Sequence, residues 1–234
     1  LTYNASEYQA EIDRIRERFT PLVLLCREAG TAMRIGANHG SLSDRILGHY
    51  GDTPQGMVES AMEFVRICAD ENYHSLVISM KASNTRIMIQ AYRLLVDQME
   101  REGFNYPLHL GVTEAGDGDD ARIKSALGIG SLLQDGLGDT IRVSLTEAPE
   151  AEIPVAISLV KSIERIETHD SIKPLESFPI NPFEYQRRST DTVSILGRDQ
   201  VPVVVADLSM AESISDQLLI DSGYHLNLLD NEWV

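Results

Sequence analysis

Arg34, Lys81 and Arg142 each lie in or just after a different short apolar run. Neutral hydrogen-bonding residues stand at comparable places: Asn38 after the first run, Thr113 in the third and Ser144 in the fourth. Gathered at one place, such a set grips an anion. Arginine bonds phosphate oxygens bidentately, lysine adds a point charge, and the amide and hydroxyls contribute neutral hydrogen bonds. A phosphate ester or diphosphate is the ligand these residue types fit. Taken singly, each cation is expected to be solvated or paired at the surface; three at equivalent strand ends shift the balance toward a site. Glu114 follows Thr113 at a strand terminus, where a carboxylate can accept or donate a proton, with helix capping or salt bridging an equal alternative.

Two histidines are less decisive. His39 falls in the loop after the first run. His109 alternates with Leu108 and Leu110 inside the third, where a hydrogen-bonded core histidine is the expectation, although the ring could reach a ligand. No pair of histidines has metal-ligand spacing. Gly128-Ile129-Gly130 and Gly136-Leu137-Gly138 fall within or after a helix rather than between strand and helix, so they read as packing and turn glycines and not as a nucleotide fingerprint.

The elements that must position these residues are the runs TAMRIGANHGSL (31–42), SLVISMKASN (75–84), YPLHLGVTEAG (106–116) and DTIRVSLTEAPE (139–150), each followed by helical periodicity. The order strand, loop, helix repeats four times, and in a parallel barrel the strand ends carry the active site. A first helix over 7–30 is expected to break and restart at Thr20-Pro21, with Leu22, Leu25 and Cys26 on its apolar side. A second opens at Thr53-Pro54 and repeats Val58, Ala61, Met62, Val65 and Cys68. A third, over 84–102, carries Ile87, Ala91, Leu94, Leu95 and Met99 and stops at Gly103. A fourth, over 119–135, places Ile123, Ala126, Leu127 and Leu133 on one side. A fifth, after Pro149, places Ile153, Ile157, Val160 and Ile163 together. Residues 169–191 hold Pro174, Pro179 and Pro182 and read as a linker, so a domain boundary is placed near 168. Strands over 201–206 and 225–229 around a helix over 210–220 then begin a second α/β domain.

Composition excludes several classes. The 234 residues are 43% hydrophobic, with a mean hydropathy of -0.14, which suits a globular chain. A formal net charge of -16 argues against nucleic acid and anionic membranes as partners. No run is long enough to cross a bilayer, and no signal-like segment opens the chain. Cys26 and Cys68 lie far apart within helical patterns, as reduced thiols do, so a cytoplasmic location is expected. The lack of an initiator Met and the abrupt end at Val234 are read as marks of a fragment.

The strings MRIGANHGSL, MKASN, LHLGVTEAG, IKSALGIGSLLQDGLGDTIRVSLT and YRLL together resemble the (E)-4-hydroxy-3-methylbut-2-enyl diphosphate synthase family, in continuous order over about residues 5–165. HGSLSDRI and the acidic continuation look most like the large form, with a domain inserted between the barrel and the iron-sulfur domain. The resemblance implies an α/β fold: the C-terminal half of a (β/α)8 TIM-type barrel over 1–167, then a linker and the start of the inserted domain over 168–234. It implies reductive opening of 2-C-methyl-D-erythritol 2,4-cyclodiphosphate in isoprenoid synthesis, with electrons from ferredoxin or flavodoxin through a [4Fe-4S] cluster. The cluster's ligands, three cysteines and a glutamate, would lie outside this chain, so no metal ligand is assigned here and Cys26 and Cys68 are not substitutes. Arg34, Asn38, Lys81, Arg142 and Ser144 then look like phosphate contacts, with Thr113 and Glu114 facing the reacting portion. The chain alone would be inactive, and a plastid stroma replaces the cytoplasm if the source is plant-like. Two rival readings are a metal-free phosphate-binding barrel lyase or synthase, and a non-catalytic scaffold that forms a homodimer over its open strand edges.

Overall fold

A computed structural model describes residues 3–164 continuously and, beyond them, 173, 177, 180–193, 196–203, 213–221, 226–227 and 232–233. The chain divides into two compact units, Leu1–Gln186 and Arg187–Val234. The boundary expected near 168 falls outside the described residues.

In the first unit four parallel strands alternate with helices. β1 (Met33–Asn38) pairs with β2 (Leu76–Lys81), joining Arg34 to Val77 and Asn38 to Lys81; β3 (His109–Gly111) pairs with β4 (Thr140–Arg142), joining His109 to Thr140 and Gly111 to Arg142. Isolated parallel bridges Ile78–Leu108 and Ala82–Val112 connect β2 to β3. Alternation gives the array two unlike faces. Ile35, Ala37, Ile78, Met80, Leu108, Leu110 and Val112 are buried in the core, while Arg34, Asn38, Lys81, His109, Thr113 and Arg142 share the opposite parity and remain exposed or half-buried.

The helices cover the apolar face. α1 (Ala5–Ala29) opens with a capping box in which the Asn4 side chain accepts from Glu7 N–H while the Glu7 carboxylate accepts from Asn4 N–H at 2.9 Å. The expected break does not occur: α1 runs through Pro21. Packing on both sides of the proline holds it, with Phe19 edge-on to Phe64 at 5.0 Å and Val23 fully buried. That packing also shifts the expected face: Cys26 turns inward as expected and Val23 joins it, while Leu22 and Leu25 face outward.

α2 (Asp44–Tyr50), which periodicity did not suggest, is one short N-capped segment starting from Ser43. Its Arg45, 4% exposed, forms a two-pronged ion pair with Glu63 of α3 (Pro54–Asp70), with Nη2 to Oε2 at 2.6 Å. Tyr8 donates to Glu63 at 2.8 Å and lies under the Arg45 guanidinium at 4.4 Å, so the pair ties α1, α2 and α3 together. α3 starts at Thr53-Pro54, and Val58, Ala61, Met62, Val65 and Cys68 are all buried, as the spacing predicts. α4 (Thr85–Arg101) is capped by Asn84 and buries Met88, Ala91, Tyr92, Leu95 and Met99.

α5 (Gly118–Gln134) and, after a 3-10 turn over Pro149–Ala151, α6 (Glu152–Glu164) turn most of the apolar residues expected inside outward, although Leu133 packs against the core as expected. α5 buries the small residues Ala121, Ser125 and Gly128 with Ile129 and Leu132, leaving Ile123 and Leu127 exposed. The cause is close approach: a Cβ on Gly128 would stand 2.6 Å from Val112 Cγ2. α6 packs Val155, Ala156 and Leu159 inward while Ile153, Ile157 and Val160 are 60%, 48% and 45% exposed.

In the second unit, α7 (Asp216–Asp221) overlaps the end of the helix expected over 210–220, and β5 (Leu226–Asn227) pairs antiparallel with β6 (Glu232–Trp233). Residues 201–203 form no strand; 204–206 and His225 lie outside the described residues.

Candidate anion-binding site on the strand ends

The register stacks the polar residues in rows. Asn38, Lys81 and Arg142 end β1, β2 and β4 and share one row, in which β3 contributes Gly111. The row beneath is Gly36, Ser79, His109 and Thr140. Arg34 stands one row lower still, near the start of β1, so the expectation that it occupies a strand end is corrected: Asn38 takes that place and Arg34 lies beneath it.

At the upper row, Asn38, His39, Ser41, Lys81, Ser83, Thr113 and Glu114 line a cleft of about 270 Å³. Main-chain bonds His39 N–H to Lys81 O (2.9 Å) and Thr113 N–H to Ala82 O (3.3 Å) carry the chain past the last ladder residues and fix the rim. Asp52 holds the rim on one side, accepting from Gly40 N–H at 3.0 Å and standing 3.5 Å from His39 Nε2. Of the residues singled out in the sequence, Asn38, Lys81, Thr113 and Glu114 therefore meet in one cleft. Arg34, Arg142 and Ser144 do not line it; Arg34 and Arg142 border the row below.

His109 is where the cations converge. Its side chain leaves the core face and lies half-buried on the polar face, contrary to the core role expected from its flanking leucines, because strand alternation sends His109 the opposite way from Leu108 and Leu110. Nδ1 is 2.7 Å from Thr140 Oγ1. Burial pushes the imidazole's pKa below its ordinary value, and the charges of Arg34, Lys81 and Arg142 push it further the same way. By register His109 stands in the row between Arg34 and the row of Lys81 and Arg142.

Tyr92 explains how β2 and β3 are held. Its buried hydroxyl accepts from Met80 N–H at 3.0 Å and donates to the His109 carbonyl, occupying the position of a direct strand-to-strand bond between the two bridges. Burial raises this phenol's pKa to about 12, so it stays protonated and donating. The sequence signals neither the Tyr92 insertion nor the conformation of Glu114, whose φ of +51 is left-handed. Such a backbone on a non-glycine residue costs about 1–3 kcal/mol and clusters at functional sites. The Thr-Glu-Ala-Gly string, with Gly116 at φ +102, is the only local hint of this turn.

An iron-sulfur cluster is held chiefly by cysteine thiolates. Among the described residues no group of three or more His, Cys, Asp or Glu is placed to hold a metal. Cys68 is buried, and desolvation raises its thiol to about 11, far from a ready thiolate. The described residues of this chain do not fit a cluster.

Parallel strands alternating with helices, their C-terminal ends presenting Asn, Lys and Arg in one row with a carboxylate at the rim, place the chain in the α/β class. The GcpE TIM-barrel domain matches residues 4–157, and the chain belongs to that family. It is 60% identical over 207 residues, 88% of this chain and 33% of the relative, to a Bacteroides fragilis protein named 4-hydroxy-3-methylbut-2-en-1-yl diphosphate synthase (flavodoxin). Proteins of the same name from Parabacteroides distasonis and Chlorobaculum tepidum are 53% and 49% identical over 99% of this chain, which covers 39% and 35% of them. The chain spans about a third of the length of the curated relatives it matches. No helix among the described residues is long and apolar enough to cross a membrane.

Proposed function

We propose that this chain is the substrate-binding barrel portion of a 4-hydroxy-3-methylbut-2-enyl diphosphate synthase. The observation that carries the reading is the row Asn38, Lys81 and Arg142 above His109 and Arg34, a cationic polar face on an otherwise acidic chain. The substrate is 2-C-methyl-D-erythritol 2,4-cyclodiphosphate, which takes up two electrons and two protons, opens its ring and loses one oxygen as water. The electron donor is flavodoxin, the carrier that the relatives are named for, or ferredoxin. A [4Fe-4S] cluster held by residues outside this chain supplies the electron transfer when bound.

This chain's own residues bind and orient. Lys81 and Arg142 take the diphosphate oxygens at the strand ends, Arg34 adds its charge from below, and Asn38 and Ser144 supply neutral bonds. Thr113 and Glu114 face the reacting carbons; the Glu114 carboxylate, set at the cleft rim by its left-handed backbone, holds or moves a proton. Residues 1–167 form half of a barrel, with β1 and β4 as open edges and the outward Ile153, Ile157 and Val160 of α6 awaiting cover from the rest of it; 168–234 form the linker and the start of an inserted domain. The protein works in the cytoplasm.

Glu114→Gln in the complete polypeptide tests the assignment. Binding of the cyclic diphosphate should survive within about threefold while kcat falls about 10²-fold or more, the range of a lost acid-base group. Unchanged kcat would remove Glu114 from the reaction.

A further inference from the structure

We propose that His109 is a proton-coupled contact for the anionic ligand: its imidazole takes up one proton from solvent when the anion binds. The proposal rests on the diphosphate-site reading and adds to it a ligand contact that the sequence had assigned to the core.

The geometry is specific. His109 is held at both ends: its carbonyl accepts from the Tyr92 hydroxyl of α4, and its Nδ1 is engaged by Thr140 of β4. That leaves Nε2 as the nitrogen without a protein partner among the described residues. The charged groups acting on the ring from the packed strands are Arg34 of β1, Lys81 of β2 and Arg142 of β4, with no carboxylate among them. A fourth positive charge beside three is disfavoured, so the free site keeps the imidazole neutral. A bound dianion reverses the local field. It neutralises the cations, and Nε2–H of an imidazolium then adds a charge-assisted bond to it.

The sign of the coupling follows. The pKa of His109 is low in the free protein and raised in the complex, so between the two values affinity falls by up to tenfold for each pH unit of increase, and binding takes up as much as one proton. The cyclic diphosphate suits the test because each phosphorus keeps only a strongly acidic oxygen and does not itself titrate near neutrality; sulfate, divalent over the same range, serves as a second probe.

The experiment is isothermal titration of the cluster-loaded complete protein, without reductant, with each probe from pH 5.5 to 8.5 in buffers of differing ionisation enthalpy. Wild type should take up a proton and bind more tightly toward low pH. His109→Gln should show no uptake and a flat profile, its fold checked by circular dichroism against wild type; His109→Asn should behave likewise. A flat wild-type profile, or uptake that persists in both variants, overturns the proposal. Sulfate bound with His109-dependent uptake but no binding of the cyclic diphosphate would sustain the proton-coupled anion contact and refute the substrate reading. Binding of neither probe overturns both.

Discussion

Removing the Tyr92 hydroxyl should loosen the seam under the site by a calculable amount. In Tyr92→Phe the ring stays wedged between β2 and β3, so the Met80 N–H and the His109 carbonyl remain too far apart to bond each other. Both lose their partner. A buried backbone group left unpaired costs about 1–3 kcal/mol, so two of them bring about 2–4 kcal/mol, allowing for partial relaxation. One pKa unit's worth of free energy, 1.36 kcal/mol, is a factor of ten, so 2 kcal/mol of local destabilisation should speed exchange of the Met80 amide about 30-fold. Hydrogen exchange read by mass spectrometry on peptides covering β2 measures this directly, and the peptide covering α6 serves as an internal control. Exchange at Met80 within threefold of wild type would refute the insertion of the hydroxyl into the ladder.

Two further substitutions probe the scaffold. Glu63→Ala leaves the buried Arg45 guanidinium without its carboxylate, and should cost about 3–5 kcal/mol in the chemical denaturation of the unit that contains it. Gly128→Ala drives a methyl against Val112 Cγ2 and within 3.2 Å of Met88 Sδ, so it should cost about 1–3 kcal/mol in the same assay, whereas Gly130→Ala, with open space around it, should be neutral or stabilising.

Which parts of the fold the sequence reveals depends on whether a signal is local. Thr53-Pro54 marks α3 because capping and proline geometry act within one turn, and the strand runs are visible because each alternates toward an apolar core. The faces of α5 and α6 are hidden for a different reason. Large apolar residues usually point inward, yet close packing of α5 on β3 selects Gly128, Ser125 and Ala121, and on α6 Ile153, Ile157 and Val160 are turned away from the core of the described unit. Pro21 reads as a break, but tertiary contacts of Phe19 and Val23 override it. At the site, Asn38, Lys81, Thr113 and Glu114 are recognisable because they end strands. His109 is misjudged because its neighbours are leucines; only the pairing register shows that it shares a face with Lys81 and Arg142. The role of Tyr92 depends on a contact between α4 and the β2–β3 seam, which no spacing in the sequence encodes.

The central claim is that these strand ends bind the diphosphate of a reductive synthase. Its most direct test is anaerobic turnover of the cyclic diphosphate by the complete polypeptide, reconstituted with iron and sulfide and given a low-potential reductant, in wild type and Lys81→Ala. The account expects cluster-dependent product from wild type and a KM raised about tenfold or more in the variant, the loss expected when a charged hydrogen bond worth about 1.5–3 kcal/mol is removed. Folded, cluster-loaded protein that forms no product, or a Lys81→Ala variant with unchanged kinetics, would contradict it.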